Sequence, residues 1–199
     1  VSTKGGLYFS VVLRPELGAD EAVRLVFVAG LAVAEVLCEL YGLCVETKWP
    51  NDVLVNGKKV CGILTEMNTT GETVNFVVVG VGINANFGVV EVFPEQLRTV
   101  ATSLEDELGK KVGLEELFRA LLERLENAYD SFLREGFGPI LDEWKGYAAF
   151  LGCWVDVSSQ IERLAGLALD VDGDGSLVVR LEDGTVRRVF VGDVSVRSK

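Results

Sequence analysis

The spacing of apolar residues changes along this chain, and each change predicts a new element. Residues 7–13 (LYFSVVL) are a short apolar run between Gly5-Gly6 and Pro15, which predicts a strand. Asp20 stands as the N-cap of a predicted helix that runs to Tyr41 and stops at Gly42. That helix is apolar almost all round, so it predicts burial on several sides or at a subunit contact. Residues 43–47, 53–55, 59–67 and 72–82 predict further strands, and Asn56-Gly57 is a two-residue hairpin signal between the second and third. The run 72–82 is apolar enough to predict burial on both faces. From Pro94 the period becomes helical. Leu114, Leu117, Phe118, Leu121, Leu122, Leu125, Tyr129 and Phe132 follow the i, i+3, i+4 rule, and a third helical stretch spans about 139–150. After Gly152 the runs 153–157, 161–171, 176–181, 185–191 and 194–197 alternate with turns at residues 172–175 and 183–184. Short strands at such close spacing predict a small β barrel behind an α/β body, with domains at 1–150 and 151–199.

Composition narrows the function classes. The chain has 199 residues, 49% of them apolar, which is ample for a sizeable core. No window approaches the ~18 consecutive apolar residues of a membrane span, and no secretory leader opens the chain. A formal charge of −11 argues against a nucleic-acid surface. The absence of histidine excludes Ser-His-Asp and Cys-His catalysis and most zinc sites. Cys38, Cys44, Cys61 and Cys153 form no C-x-x-C pair and sit in apolar neighbourhoods, so they read as small buried hydrophobes in a reducing, cytoplasmic compartment. The run DVDGDGSL hints at a calcium loop but lacks the twelfth-position Glu and flanking helices; a hairpin turn, and no metal site, is expected. The chain opens at Val1, and its one methionine is Met67, which suggests a fragment, a processed chain or an unusual start.

One segment carries chemistry. With Asn56-Gly57 as the turn, Val55 pairs with Lys58, Leu54 with Lys59 and Asp52 with Cys61. Alternation then puts Asp52, Leu54, Lys59, Cys61 and Ile63 on one face, with Asp52 and Lys59 as diagonal neighbours about 7 Å apart. A carboxylate and an ammonium on an otherwise apolar face read either as an ion pair that pins the hairpin or as a reactive pair, because burying a charge pair seldom improves on apolar packing. A short distance on, residues 80–86 (GVGINAN) offer a glycine-relieved backbone ending in two amides that can read a purine edge. The run fits neither the G-x-G-x-x-G fingerprint nor a P-loop.

KWPNDVLVNGKKVCGILTE together with GVGINAN resembles the catalytic domain of the biotin–protein ligases. STKGGLYFSVVLRP resembles that family's strand after its nucleotide loop, and residues 166–197 are similar to its C-terminal SH3-like domain. Cys61 stands where the family usually has alanine. The resemblance implies an α+β fold: a class II aminoacyl-tRNA-synthetase-like mixed sheet with helices, followed by a small SH3-like β barrel. It implies a two-step reaction with ATP, Mg2+ and biotin. Biotin's carboxylate attacks the α-phosphate to give biotinyl-5′-AMP, and a lysine of a biotin carboxyl carrier protein domain then takes the acyl group. By the same resemblance Lys59 and Asp52 are catalytic, and Lys59, Gly62, Gly6 and Leu64 meet biotin. Asn51, Asn84 and Lys48 meet the adenylate, with Lys48 alternatively supporting its loop. Homodimers are implied too, through the apolar helix or the strand 74–82.

The family's opening S-T-N-type motif and its Gly- and Arg-rich loop are not in this sequence, so the chain taken alone is expected to be a poor ligase and a weak ATP binder. Two other readings stay open: a lipoate or octanoate ligase or transferase on the same fold, and a non-catalytic module that holds the adenylate or docks the carrier. A biotin-responsive DNA repressor would need a helix-turn-helix, and the charge opposes it.

Overall fold

Alternation in β1 (Leu7–Leu13) sends Leu7, Phe9, Val11 and Leu13 to one face and Tyr8, Ser10 and Val12 to the other. β2 (Val45–Lys48), β3 (Asp52–Val55), β4 (Lys58–Thr70) and β5 (Thr73–Ile83) join it in one sheet of order β1-β5-β4-β3-β2. Every strand pair in this sheet is antiparallel; among the described residues parallel pairing occurs only at an isolated bridge between Lys59 and Ala101. This computed structural model describes residues 3–159 and 163–196. Ile161, Glu162 and Arg197, expected in strands, lie outside the described residues, as do Val1 and Ser2.

β5 is the hinge of this order. The expected burial on both faces does not hold, and as an inner strand it has no edge to give to the subunit contact expected of 74–82. Both its edges are paired, to β1 and to β4. Val77, Val79, Val81 and Ile83 enter the core, while Val78, Gly80 and Gly82 face the open side. The core face of the sheet packs on α2 (Leu25–Tyr41), which is buried along most of its length and ends at Gly42 in the left-handed conformation. The expected single helix from Asp20 is instead two pieces. α1 (Ala19–Ala22) has Gly18 as its N-cap, with the Glu21 carboxylate accepting from the Gly18 N–H. Tight i→i+3 bonds from Arg24 N–H to Glu21 O and from Phe27 N–H to Arg24 O make the junction.

Between the sheet and the next long helix lie three short helices, α3 (Val89–Val92), α4 (Glu95–Arg98) and α5 (Leu104–Leu108); Ser103 caps α5 by accepting from the Asp106 N–H. α6 (Leu114–Glu135) lays Leu117, Leu121, Leu125, Ala128 and Phe132 on the core, as its period requires. α7 (Phe137–Gly146) adds Trp144, whose ring meets Phe27 edge-on at 5.0 Å.

The second sheet is built from β6 (Trp154–Ser158), β7 (Arg163–Val171), β8 (Leu177–Leu181), β9 (Val186–Val189) and β10 (Asp193–Val196), antiparallel in the order β10-β6-β7-β8-β9. Its apolar residues Val155, Val157, Ala168, Leu177 and Val179 belong to the same continuous core as α2 and the first sheet. In the turn after β7, Asp172 and Asp174 both pair with Arg188. Among the described residues no group of three His, Cys, Asp or Glu could hold a metal ion. The cysteines divide: Cys61 is buried, Cys153 is partly so, and Cys38 and Cys44 are exposed at the end of α2 and before β2. Local apolarity marked all four alike, but only Cys61 lies on the core face of a strand.

Candidate functional site

The hairpin at Asn56-Gly57 forms as expected, with positive φ of 51° and 74° at its two turn residues. Val55 faces Lys58 and Leu54 faces Lys59. There the expected register ends. The ladder shifts between Leu54 and Val53, so Val53 pairs with Cys61 and Asp52 with Gly62, leaving Val60 as a bulge. The cause lies outside the hairpin. Lys59, still paired with Leu54, also donates its N–H to Val100 O and accepts from the Thr102 N–H, so the chain at residues 100–102 holds the backbone just ahead of the bulged Val60. Asn84 secures the arrangement, its side-chain Nδ2 donating to Thr102 O at 2.9 Å and reaching Lys59 O at 3.5 Å.

The bulge corrects the face assignment. Val60, Cys61 and Ile63 all turn into the core, so Cys61 and Ile63 do not share a face with Asp52 and Lys59. Gly62 and Leu64 take those places on the open face, and Leu64 is 62% exposed. Burial pushes the Cys61 thiol up to about 12, against the opposing pull of the Lys59 ammonium.

Asp52 and Lys59 meet, with Nζ 2.5 Å from Oδ1. The carboxylate side chain is only 11% exposed, while the lysine side chain is 44% exposed and reaches open space. Among the described residues Asp52 Oδ1 has the Lys59 ammonium as its partner and no further hydrogen bond. Lys59 stands at the rim of a groove of about 600 Å³ on the open face. Its floor is glycine: Gly62 lies opposite Gly82, and Gly80 opposite Leu64. Its far wall is Tyr8 and Ser10, paired with Gly82 and Gly80. A β-carbon at Gly62 would sit 3.0 Å from Lys59 Cε, so this glycine makes the room in which the lysine stands. Gly6 lies beyond the groove's lining, beneath the Tyr8 ring; a β-carbon there would be 2.3 Å from Tyr8 Oη, which itself accepts from the Thr3 N–H.

Asn51 lines the groove and is tied to Ile63 by two bonds: its Nδ2 donates to Ile63 O, and Asn51 O accepts from the Ile63 N–H. Asn84 is not among the lining residues. Lys48 lies on the other side of Asp52, 3.9 Å from Oδ2, in a second cleft between the two sheets of about 670 Å³. Tyr8 and Ser10 were not singled out from the sequence, although alternation in LYFSVVL already put them together on one face. Asp193, 2.7 Å from Lys48, was also missed, and no local signal points to it.

A glycine floor, a half-exposed ammonium and a shielded carboxylate suit a carboxylate-bearing ligand with an extended apolar body. Comparison with known proteins agrees. The Biotin/lipoate A/B protein ligase family matches residues 1–84, and the Biotin protein ligase C terminal domain matches residues 162–197. The Biotin--[acetyl-CoA-carboxylase] ligase of Paracoccus denitrificans is 34% identical over 182 residues, covering 90% of this chain and 76% of that protein. This chain belongs to the biotin–protein ligase family. The Bifunctional ligase/repressor BirA of Bacillus subtilis is 32% identical over 191 residues, or 96% of this chain; the chain spans 58% of that relative's length. The fold agrees as well. A biotin protein ligase from Aquifex aeolicus, solved in complex with biotin and ATP, superposes with a TM-score of 0.84 at 28% identity, over 100% of this chain and 81% of that one. The match to residues 1–84 takes in Asp52, Lys59, Gly62 and Asn84, and the second match falls on the second sheet, so this biotin–protein ligase family chain carries both parts in the order expected.

Proposed function

We propose that this chain carries the reaction centre for ATP-dependent biotinylation of a carrier-protein lysine through biotinyl-5′-AMP. The observation that supports it most directly is the Lys59 ammonium, paired with Asp52, at the rim of a glycine-floored groove. In the first step a carboxylate oxygen of biotin attacks the α-phosphorus of ATP. The bond from that phosphorus to the bridging oxygen breaks, and pyrophosphate leaves with the electron pair. Lys59 can swing from Asp52 to the oxygens that gain charge; a unit-charge contact at ~4 Å is worth about 4 kcal/mol at an effective dielectric near 20. In the second step the carrier lysine nitrogen attacks the acyl carbon, the acyl–phosphate bond breaks and AMP departs. Asp52 orients the incoming ammonium and takes its proton.

Gly62, Leu64 and Gly6 belong to the biotin side of this proposal, Gly6 by giving Tyr8 its place. Asn51 and Asn84 belong to the adenylate side, with Lys48. Both amides donate to backbone carbonyls, which leaves each Oδ1, and for Asn51 a second N–H, to meet adenine. With no converging acidic cluster among the described residues, Mg2+ would arrive with the nucleotide's phosphates. The biotin carboxyl carrier protein domain is the proposed macromolecular substrate. A homodimer is proposed through the edge of β1, since β5 is paired on both sides. Cytoplasmic residence is part of the same reading, supported by the free thiols of Cys38 and Cys44. No described helix is long and apolar enough to cross a membrane.

The test is a thermal-shift and calorimetry panel with biotin, lipoate, ATP and biotinyl-5′-AMP, followed by transfer to a carrier domain. Stabilisation by biotin and by the adenylate is expected, with little stabilisation by ATP and slow but detectable transfer. Stabilisation by lipoate instead would move the chain to the lipoate branch. Adenylate binding without transfer would leave a binding module.

A further inference from the structure

The residues just ahead of Asp52 are gripped from outside their own sheet. Lys48, the last residue of β2, has its Nζ 2.7 Å from Asp193 Oδ1 at the start of β10. Trp49, 1% exposed, donates its indole N–H to Gly175 O in the turn between β7 and β8, at 2.9 Å. Two consecutive residues therefore hold two separate points of the second sheet, and Asn51 and Asp52 follow within three positions.

The charges show what the first contact does. Lys48 stands between two carboxylates, 2.7 Å from Asp193 and 3.9 Å from Asp52. Asp193 is largely exposed and Asp52 largely shielded. Without Asp193 the pull of the shielded Asp52 carboxylate loses its counterweight, and the like charge of Lys59 is what remains against closure of the longer gap. Asp52 would then face Lys48 on one oxygen and Lys59 on the other. It would be a poorer acceptor for a proton, and Lys59 would be less free to leave. A third contact onto the second sheet, Lys145 to Asp170 at 2.7 Å, joins α7 to β7 without touching residues 48–52.

We infer that Asp193 is a positioning residue of the site: it holds Lys48 off Asp52 and, with the Trp49–Gly175 bond, docks the second sheet onto the segment that carries the reactive carboxylate. The inference rests on the reading of Asp52 and Lys59 as the reacting pair, so it needs one test that uses no ligand. Hydrogen exchange of residues 48–53 is compared in the unmodified chain, Asp193→Asn, Asp193→Glu and Asp170→Asn. Exchange is expected to rise several-fold in Asp193→Asn, to return in Asp193→Glu and to stay unchanged in Asp170→Asn. Lys48→Met breaks the same pair from the other side and must raise exchange likewise, which covers the case in which Asp193→Asn does not fold. Single-turnover transfer from biotinyl-5′-AMP then reads the chemistry. Transfer should slow about tenfold in Asp193→Asn with adenylate affinity kept, on the scale at which small misplacements of a reacting group act. Unchanged exchange, or equal effects of Asp193→Asn and Asp170→Asn, overturns the inference whatever the ligand proves to be. A chain that shows the exchange pattern but binds no biotinyl-5′-AMP overturns the proposed function and leaves the Asp193 clamp standing.

Discussion

Gly62 and Lys59 are fitted to one another: a β-carbon on Gly62 would stand 3.0 Å from Lys59 Cε and 3.1 Å from its Nζ. The neighbour that would have to move is the far end of a flexible side chain, so Gly62→Ala should fold with little change in melting temperature. It should nonetheless displace the ammonium from the groove. Adenylate formation is expected to fall by roughly ten- to a hundredfold, the scale on which small misplacements act. Wild-type turnover in a Gly62→Ala chain that binds biotin would show that the glycine has no part in placing Lys59.

Lys59 and Asp52 should separate by half-reaction. In the complete protein, Lys59→Ala is expected to abolish adenylate formation far more than biotin binding, since its charge matters most where phosphate charge grows. Asp52→Ala should spare adenylate formation and slow transfer to lysine, by about 10²–10⁴-fold if it acts as a general base. Pyrophosphate release and single-turnover acyl transfer measure the two steps. Equal loss in both steps for Asp52→Ala would contradict its assignment.

Asn84→Ala should act on stability first. It removes the bond to Thr102 O that keeps residues 100–102 beside Lys59, at an expected cost of about 1–2 kcal/mol in chemical denaturation. If the bulge depends on that bond, the loss will be accompanied by faster amide exchange at Lys59 and Val60.

The Cys61 thiol should resist alkylation at pH 7–8 in the folded chain, because it is buried and held up at about 12. Cys38 and Cys44, which are exposed, should react under the same conditions. Mass spectrometry after iodoacetamide treatment decides this, and labelling of Cys61 ahead of Cys38 would show that the strand opens locally.

The second sheet has its own pH signature. Burial works against ionising Asp174, but it is outweighed by bonds from the Ser176 hydroxyl and N–H and from Arg188, which hold its carboxyl at about 2. A carboxylate lowered on folding adds stability that is fully present above its unfolded value, near 4, and is lost as pH falls toward the folded value. Asp174→Asn should therefore destabilise the chain at pH 7, and the difference from the unmodified chain should shrink between about pH 4 and pH 2. A pH-independent difference in thermal unfolding would contradict this account.

What the sequence determined by itself was local. Asn56-Gly57 makes its hairpin because both turn residues take positive φ, and alternation in LYFSVVL puts Tyr8 and Ser10 together on one face. The helical period of 114–132 places its leucines on the core. The meeting of Asp52 with Lys59 was within reach because both lie close to the same two-residue turn. The tertiary structure decided the rest, through partners distant in sequence. Val100 and Thr102 capture the backbone of Lys59, produce the bulge at Val60 and turn Cys61 into the core. β1 and β4 cover both edges of β5 and leave its glycines as a floor. Asp193 reaches Lys48 across 145 positions of chain. Alternation and turn chemistry act over a few residues, whereas which backbone groups and which charges find each other depends on how the two sheets pack around α2.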